Sequence, residues 1–222
     1  MEKVIEWFYE ISVYLNAIPI FVGVYFYRYL SKSQQSFLIF SGIAFVLSIL
    51  SQVLAHFGSN THWIYYIAFF VGFINYALFF SKTITVKILP KIFIGLLIFS
   101  LILIIYDLLQ NGVRNYFVLP FLILDILLIP FAFVLFVKFA KNHSIKILSM
   151  GILIYLVFDL ASTILTNYFY DYFQNKVFYT IFFGISPVFL LIFMFFQSYS
   201  YYLASKEVKP SFDKILDFRE TV

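Results

Sequence analysis

The fold is decided by a stretch that runs from Tyr116 to Val137 and reads YFVLPFLILDILLIPFAFVLFV. Asp125 is its only charged residue, and its length is close to the roughly 20 residues that an α-helix needs to cross about 30 Å of hydrocarbon. Its apolar residues follow one another without alternation, whereas a membrane β-barrel would show alternating segments of about ten residues. The stretch therefore predicts a transmembrane helix.

Similar apolar stretches recur along nearly the whole chain. The chain has 222 residues, of which 63% are hydrophobic and 12% charged, and a soluble domain of this composition would expose large apolar patches. We predict an all-α, polytopic membrane protein with a seven-helix transmembrane domain over residues 1–203 and a short cytoplasmic tail over residues 204–222. The seven predicted spans are Ile5–Leu30, Ser36–His56, Trp63–Ser81, Ile88–Leu108, Tyr116–Val137, Ile147–Tyr168 and Val177–Tyr201.

Basic residues predict the orientation, because Lys and Arg are disfavoured in short loops that cross the membrane. Twelve of the 15 fall on one side of the predicted spans, and only Lys3, Arg114 and Lys176 fall on the other. We therefore expect the N-terminus outside and the C-terminus in the cytoplasm, with the protein in the cytoplasmic (inner) membrane of a bacterium. The basic inner face favours contact with anionic membrane lipid, and the chain shows no soluble basic domain that would predict a nucleic-acid partner.

The tail carries a short apolar pattern after Pro210, formed by Phe212, Ile215 and Leu216 beside charged residues. This spacing predicts an amphipathic helix of about two turns. Two interpretations stay open: an interfacial helix on the inner leaflet, or a docking segment for a cytoplasmic partner.

Prolines interrupt three of the predicted spans, at Pro19, Pro120, Pro130 and Pro187. Proline removes a backbone donor and strains the preceding helical turn, so each position predicts a kink, a hinge or a cavity wall. The stretch from Gly184 to Pro187 is the strongest of these candidates, because a glycine and a proline fall within one turn.

Two aspartates lie well inside apolar runs, and such residues are candidates for function because their insertion into hydrocarbon is unfavourable. Asp125 is nine residues from Tyr116 and Asp159 is nine residues from Tyr168, which places both roughly 14 Å below the outer surface at 1.5 Å per residue. Since they are on consecutive predicted helices at one depth, we expect both to face the interior of the bundle and to share a polar cavity.

Other polar residues are predicted to join them. Asn16 and Asn75 reach a similar depth on spans one and three, and Tyr155, Ser162 and Thr163 share the helical face of Asp159. The alternative is that these amides and hydroxyls hold helices together by hydrogen bonds. The candidates for a binding or proton site are Asp125, Asp159, Asn16, Asn75, Tyr155, Ser162 and Thr163.

Several kinds of chemistry lack their sequence signals. There is no cysteine, so thiol catalysis and cysteine-ligated metals are excluded, and no His-Glu-x-x-His or Gly-x-Ser-x-Gly pattern occurs. We predict no metal site and no cofactor, and the sequence leaves open whether the protein is an enzyme.

Short motifs carry two family resemblances. The stretch Lys146–Tyr155, with its continuation to Asn167-Tyr168, and Leu15-Asn16-Ala17-Ile18-Pro19 resemble uncharacterised seven-span membrane proteins of the Bacteroidetes group. This resemblance implies a seven-helix bundle and an association with signalling systems. A looser similarity to lysoplasmalogenase-like membrane hydrolases rests on Gly151 and Asp159, although those proteins usually have eight spans and an early Gly-Asp pair where this chain has Ser51-Gln52.

Three functional classes follow. Short loops, a buried polar layer and a basic inner face favour a receptor- or sensor-like module that signals to a cytoplasmic or membrane partner, since it has no output domain of its own. A small proton-coupled transporter would use Asp125 and Asp159 as proton sites. A lysoplasmalogenase-like lipid hydrolase would use the same aspartates as acid and base.

Overall fold

The computed structural model describes residues 2–58, 61–84, 86–111, 119–138, 142–173 and 176–220. Within these ranges the chain is helical and contains no strand. The helices are α1 (Glu2–Leu15), α2 (Ala17–Tyr25), a 3₁₀ turn (Tyr27–Tyr29), α3 (Lys32–His56), α4 (His62–Thr83), α5 (Leu89–Asn111), α6 (Leu119–Lys138), α7 (His143–Phe173) and α8 (Lys176–Glu220).

These helices coincide with the predicted apolar stretches, the first of which contains α1 and α2 together. Five helical segments of the described chain are long and apolar enough to cross a membrane. They are Lys32–His56, Tyr66–Thr83, Leu89–Tyr106, His143–Leu165 and Ile185–Glu207. The all-α class is confirmed, and the apolar helices indicate a helical membrane protein.

Side chains and a glycine fix several helix ends. Ser31 begins α3 with a capping box, in which its Oγ accepts from the amide of Gln34 at 3.3 Å and its amide donates to Gln34 Oε1 at 3.1 Å. Asn142 begins α7 by accepting from the amide of Ile145 at 3.0 Å. Gly58, with a φ of 72°, follows the end of α3 in the left-handed conformation that glycine adopts without strain.

The first predicted span is interrupted near its middle, at Asn16, which separates α1 from α2. The amide of Asn16 donates to the carbonyl of Val13 at 3.2 Å, a tighter turn than the α-helical pattern. Three residues later, Pro19 has no amide hydrogen to give to the carbonyl of Leu15. The break therefore lies at Asn16, three residues before the predicted interruption at Pro19, and Pro19 itself is inside α2.

The other prolines do not interrupt helical structure. α6 continues through Pro130, and α8 continues through the stretch from Gly184 to Pro187. Neighbouring helices can satisfy the carbonyl groups that proline leaves unpaired, which allows helices in membranes to continue past it. The clearest break is thus at Asn16, and a bend at Pro187 stays a prediction. α8 also extends to Glu220 through the predicted tail, whose amphipathic character stays a prediction too.

The most extensive packing is between α7 and α8, followed by α3 against α4 and α6 against α7. Gly151 allows a close approach of α7 to α8, because a Cβ there would lie 2.6 Å from the Cβ of Phe196. The main core is built around the fully buried Phe79, Leu124 and Leu148. α5 contacts only part of this bundle and leaves a broad apolar face outside, as expected of a surface that meets lipid.

Candidate functional site

A cavity of about 430 Å³ lies between α1, α2, α3, α4, α6, α7 and α8. This volume is within the roughly 300–1,000 Å³ range of small-molecule sites. Ten of the lining side chains are polar, and the others are apolar or aromatic. The polar side chains are Asn16, Ser41, Ser48, Asn75, Tyr76, Asp125, Tyr155, Asp159, Thr163 and Gln197.

Six of the seven residues that the sequence singles out line this one cavity. They are Asn16, Asn75, Asp125, Tyr155, Asp159 and Thr163. Ser162 is not among the lining residues, although it is next to Thr163. At 100° per residue, Tyr155 and Thr163 lie about 40° to either side of Asp159, whereas Ser162 lies about 60° away, beyond Tyr155. The binding or proton role of these residues stays a prediction.

The two aspartates enter the cavity from adjacent helices. On α6, Asp125 lies beside the fully buried Leu124, which fixes the face that α6 turns to the core. On α7, Asp159 is one turn from Tyr155 and one turn from Thr163, and all three line the cavity. The carboxyls of Asp125 and Asp159 are close enough for their charges to interact, and Tyr76 is within electrostatic reach of both.

The helix break borders the same cavity. Val13, Asn16 and Pro19, which surround the break between α1 and α2, all line it. Irregular backbone at membrane depth is tolerated only where protein buries it or where it lines a polar cavity. The break and the cavity are thus two parts of one local arrangement.

Asn75 on α4 leaves a hydrogen-bonding group unused in the cavity wall. Its side chain is only 6% exposed, and its Nδ2 donates to Ser41 Oγ at 3.3 Å. Its Oδ1 is buried and has no hydrogen-bond partner. Buried acceptors are normally paired, and an unpaired one is unfavourable by about 1–3 kcal/mol.

Gln197 and Ser41 also belong to the site and were not predicted. Gln197 Nε2 on α8 donates to Ser41 Oγ at 3.3 Å and to the Tyr201 hydroxyl at 2.9 Å. Gln197 is a lone amide in the apolar run of the last span, the same signal that selects Asn75 on the third. Ser41 and Ser48 are seven residues apart on one face of α3, but this pattern is common at helix contacts.

A second group of polar residues lies closer to the predicted cytoplasmic ends and is called the inner polar layer below. It consists of Gln34, Ser144, Ser200 and Glu207. Gln34 Nε2 donates to Ser200 Oγ at 3.1 Å, and Ser200 Oγ donates to the carbonyl of Ser144 at 2.7 Å. Glu207 Oε1 accepts from the amide of Ser144 at 3.1 Å. These bonds join α3, α7 and α8.

The described part of the chain contains no group of three or more His, Asp or Glu residues that could hold a metal ion. The class that the fold and the cavity define is a helical membrane protein with a polar cavity inside its bundle. No protein-family model matches the chain, and neither a curated protein nor a solved structure is significantly similar to it.

Proposed function

We propose that the protein is a receptor- or sensor-like seven-helix module of the bacterial cytoplasmic membrane, which binds a small ligand in the cavity and signals to a membrane or cytoplasmic partner. The observation that carries this proposal is the cavity itself, whose wall inside the bundle contains both Asp125 and Asp159. Polar groups in a membrane interior that are not used for packing are functional by default.

The proposed topology has seven crossings, with α1 and α2 forming the first, the N-terminus outside and the C-terminus in the cytoplasm. Contacts between residues that the basic-residue pattern assigns to the cytoplasmic side support it. Lys82 at the end of α4 contacts Ser36 at the start of α3, and Glu207 on α8 contacts Ser144 at the start of α7.

The sensor interpretation is supported by a physical link between the cavity and the inner polar layer. Gln197 lines the cavity, and Ser200 follows it by three residues on α8. Ser200 contacts both Gln34 on α3 and the carbonyl of Ser144 on α7. A shift of α8 on ligand binding would therefore change contacts near the cytoplasmic ends of three helices.

A proton-coupled transporter is the second candidate, and the pair Asp125 and Asp159 favours it. Such a carrier must expose the cavity to each side of the membrane in turn. A sensor needs access only from the side of its ligand, and we propose that this side is the outside.

Cysteine labelling can test the proposal, because the natural chain has no cysteine. We expect Ser48→Cys, in the cavity wall, to react with a trimethylammonium-bearing methanethiosulfonate applied from outside and not from the cytoplasmic side. The control is Val46→Cys on α3, where the side chain is 63% exposed and away from the cavity wall. In the proposed topology it would face lipid, so it should stay unmodified because the charged reagent does not enter hydrocarbon.

Labelling of Ser48→Cys from both sides of the membrane would favour the transporter interpretation over the sensor interpretation. If Ser48→Cys reacts from neither side in protein that is correctly inserted, the cavity is not accessible to a ligand and the proposal is wrong.

A further inference from the structure

Among the described residues of the cavity wall, the ionisable carboxyl groups have no basic side chain beside them. Asp125 and Asp159 are both in its wall, and no Lys, Arg or His occurs among the described residues that line it. Buried carboxylates are normally paired with a basic group or a metal ion. A ligand that carries a positive charge would supply the partner that the protein itself does not place there.

The volume of the cavity favours an organic cation over a bare metal ion as the ligand. A volume of 430 Å³ equals about 14 times the roughly 30 Å³ that a water molecule occupies in the liquid. A bare ion would leave most of this space to water. An organic molecule of drug-fragment size fills it.

The walls around the carboxyls are aromatic. The ring centroids of Phe37 and Tyr76 are 5.8 Å apart, those of Phe37 and Phe193 are 6.3 Å apart, and those of Tyr155 and Phe193 are 5.3 Å apart. All four side chains line the cavity. Aromatic faces attract ammonium groups, and their apolar surface accepts the body of a ligand.

We infer that the ligand is an organic cation, an ammonium group on an apolar or aromatic body, with the ammonium bound by Asp125 and Asp159 and the body held by Phe37, Tyr76, Tyr155 and Phe193. This inference rests on the proposed function and names the chemical class of its ligand.

The test uses three probes with the same phenylbutyl body: 4-phenylbutylamine, 4-phenylbutan-1-ol and 4-phenylbutanoate. Their affinities are obtained from the rise in Tm of the protein in lipid nanodiscs, which depends on ligand concentration and Kd. We expect the amine to bind at least about tenfold more tightly than the alcohol, because charge-assisted hydrogen bonds are about twice as strong as neutral ones. The carboxylate should not bind.

A variant with both Asp125→Asn and Asp159→Asn should lose the preference for the amine over the alcohol while it keeps the shape of the site. Asp217→Asn, the same chemical change in the C-terminal tail, should retain the preference. The comparison of amine with alcohol in the wild-type protein does not depend on the folding of any variant.

Equal affinities for the amine and the alcohol, or tighter binding of the carboxylate, would overturn the inference and leave the proposed function intact. Binding of none of the three would also overturn it, whereas the proposed function is decided separately by the labelling of Ser48→Cys.

Discussion

The cavity and the inner polar layer are built from the same kinds of residue and differ in how their hydrogen-bonding groups are used. In the inner polar layer, Gln34, Ser200 and Ser144 are joined in a continuous chain of hydrogen bonds. In the cavity, Asn75 makes a single bond at 3.3 Å and keeps an unpaired Oδ1. Both regions contact α3 and α8.

This difference separates polar residues that join helices by hydrogen bonds from a polar residue whose hydrogen bonding is incomplete. A satisfied network contributes to stability, and removing one member leaves the others unpaired. A residue with an unpaired buried group already carries the unfavourable desolvation of that group, so it contributes little to stability. Substitutions of the same type in the two regions should therefore give different results.

The largest effect is expected where α7 and α8 join the two regions. Gly151→Ala adds a Cβ that would lie 2.6 Å from the Cβ of Phe196, a backbone-anchored atom that cannot move alone. Overpacking of this kind should destabilise the protein by about 2–3 kcal/mol, measured by unfolding in mixed micelles of SDS. The control is Gly42→Ala on α3, where a Cβ meets nothing within 4 Å and helix stability should rise by about 0.5–1 kcal/mol. Equal stabilities of the two variants would show that the helices are not in close contact at Gly151.

An intermediate effect should come from replacing one amide in each region by leucine. Gln34 is 1% exposed and both caps α3 and bonds Ser200, so Gln34→Leu should destabilise the protein by about 1–2 kcal/mol. Asn75→Leu removes one weak bond and an unpaired acceptor, so the free energy of unfolding should change by less than about 0.5 kcal/mol. The comparison between the two regions is wrong if Asn75→Leu is the more damaging change in the same SDS unfolding assay.

The smallest effect is expected for a pair of serines. Ser200 bonds two other helices, whereas Ser48 Oγ donates only to the carbonyl of Ala44 on its own helix at 3.0 Å. Ser200→Ala should reduce the free energy of unfolding by about 1 kcal/mol, and Ser48→Ala should leave it nearly unchanged. The Tm of both variants, measured in one detergent, would check this difference. Equal decreases in Tm would contradict the distinction between the inner polar layer and the cavity.

The helices could be predicted because each one is a local pattern of apolar residues. The predicted apolar stretches, such as the one from Tyr116 to Val137, have the length and composition of helices that cross a membrane. No distant residue is needed to recognise them. Asp125 and Asp159 could be placed at one depth for the same reason, since the rise of a helix is constant. Their position in one cavity follows from this and from the unfavourable exposure of either carboxyl to lipid.

The remaining features depend on contacts between residues that are distant in sequence. Gln34 and Ser200 are 166 residues apart, and Ser144 is 56 residues from Ser200, so their network cannot be read from a local pattern. Ser162 shows the same limit within one helix. Spacing alone assigns the positions three and four residues from Asp159 to one face, whereas in the folded protein Thr163 lines the cavity and Ser162 does not.

The length of α8 has a mechanical consequence. Its 45 residues give about 68 Å at 1.5 Å per residue, which is roughly 25 Å more than a bilayer with its headgroups. In the proposed topology, α8 would run from the cavity to beyond the cytoplasmic surface of the membrane. Gln197, in the cavity wall, and Glu220 are about 35 Å apart along the helix, so a tilt of about 5° would move the end at Glu220 by about 3 Å. A displacement of that size would exceed the roughly 1–2 Å helix shifts that change contacts at subunit interfaces.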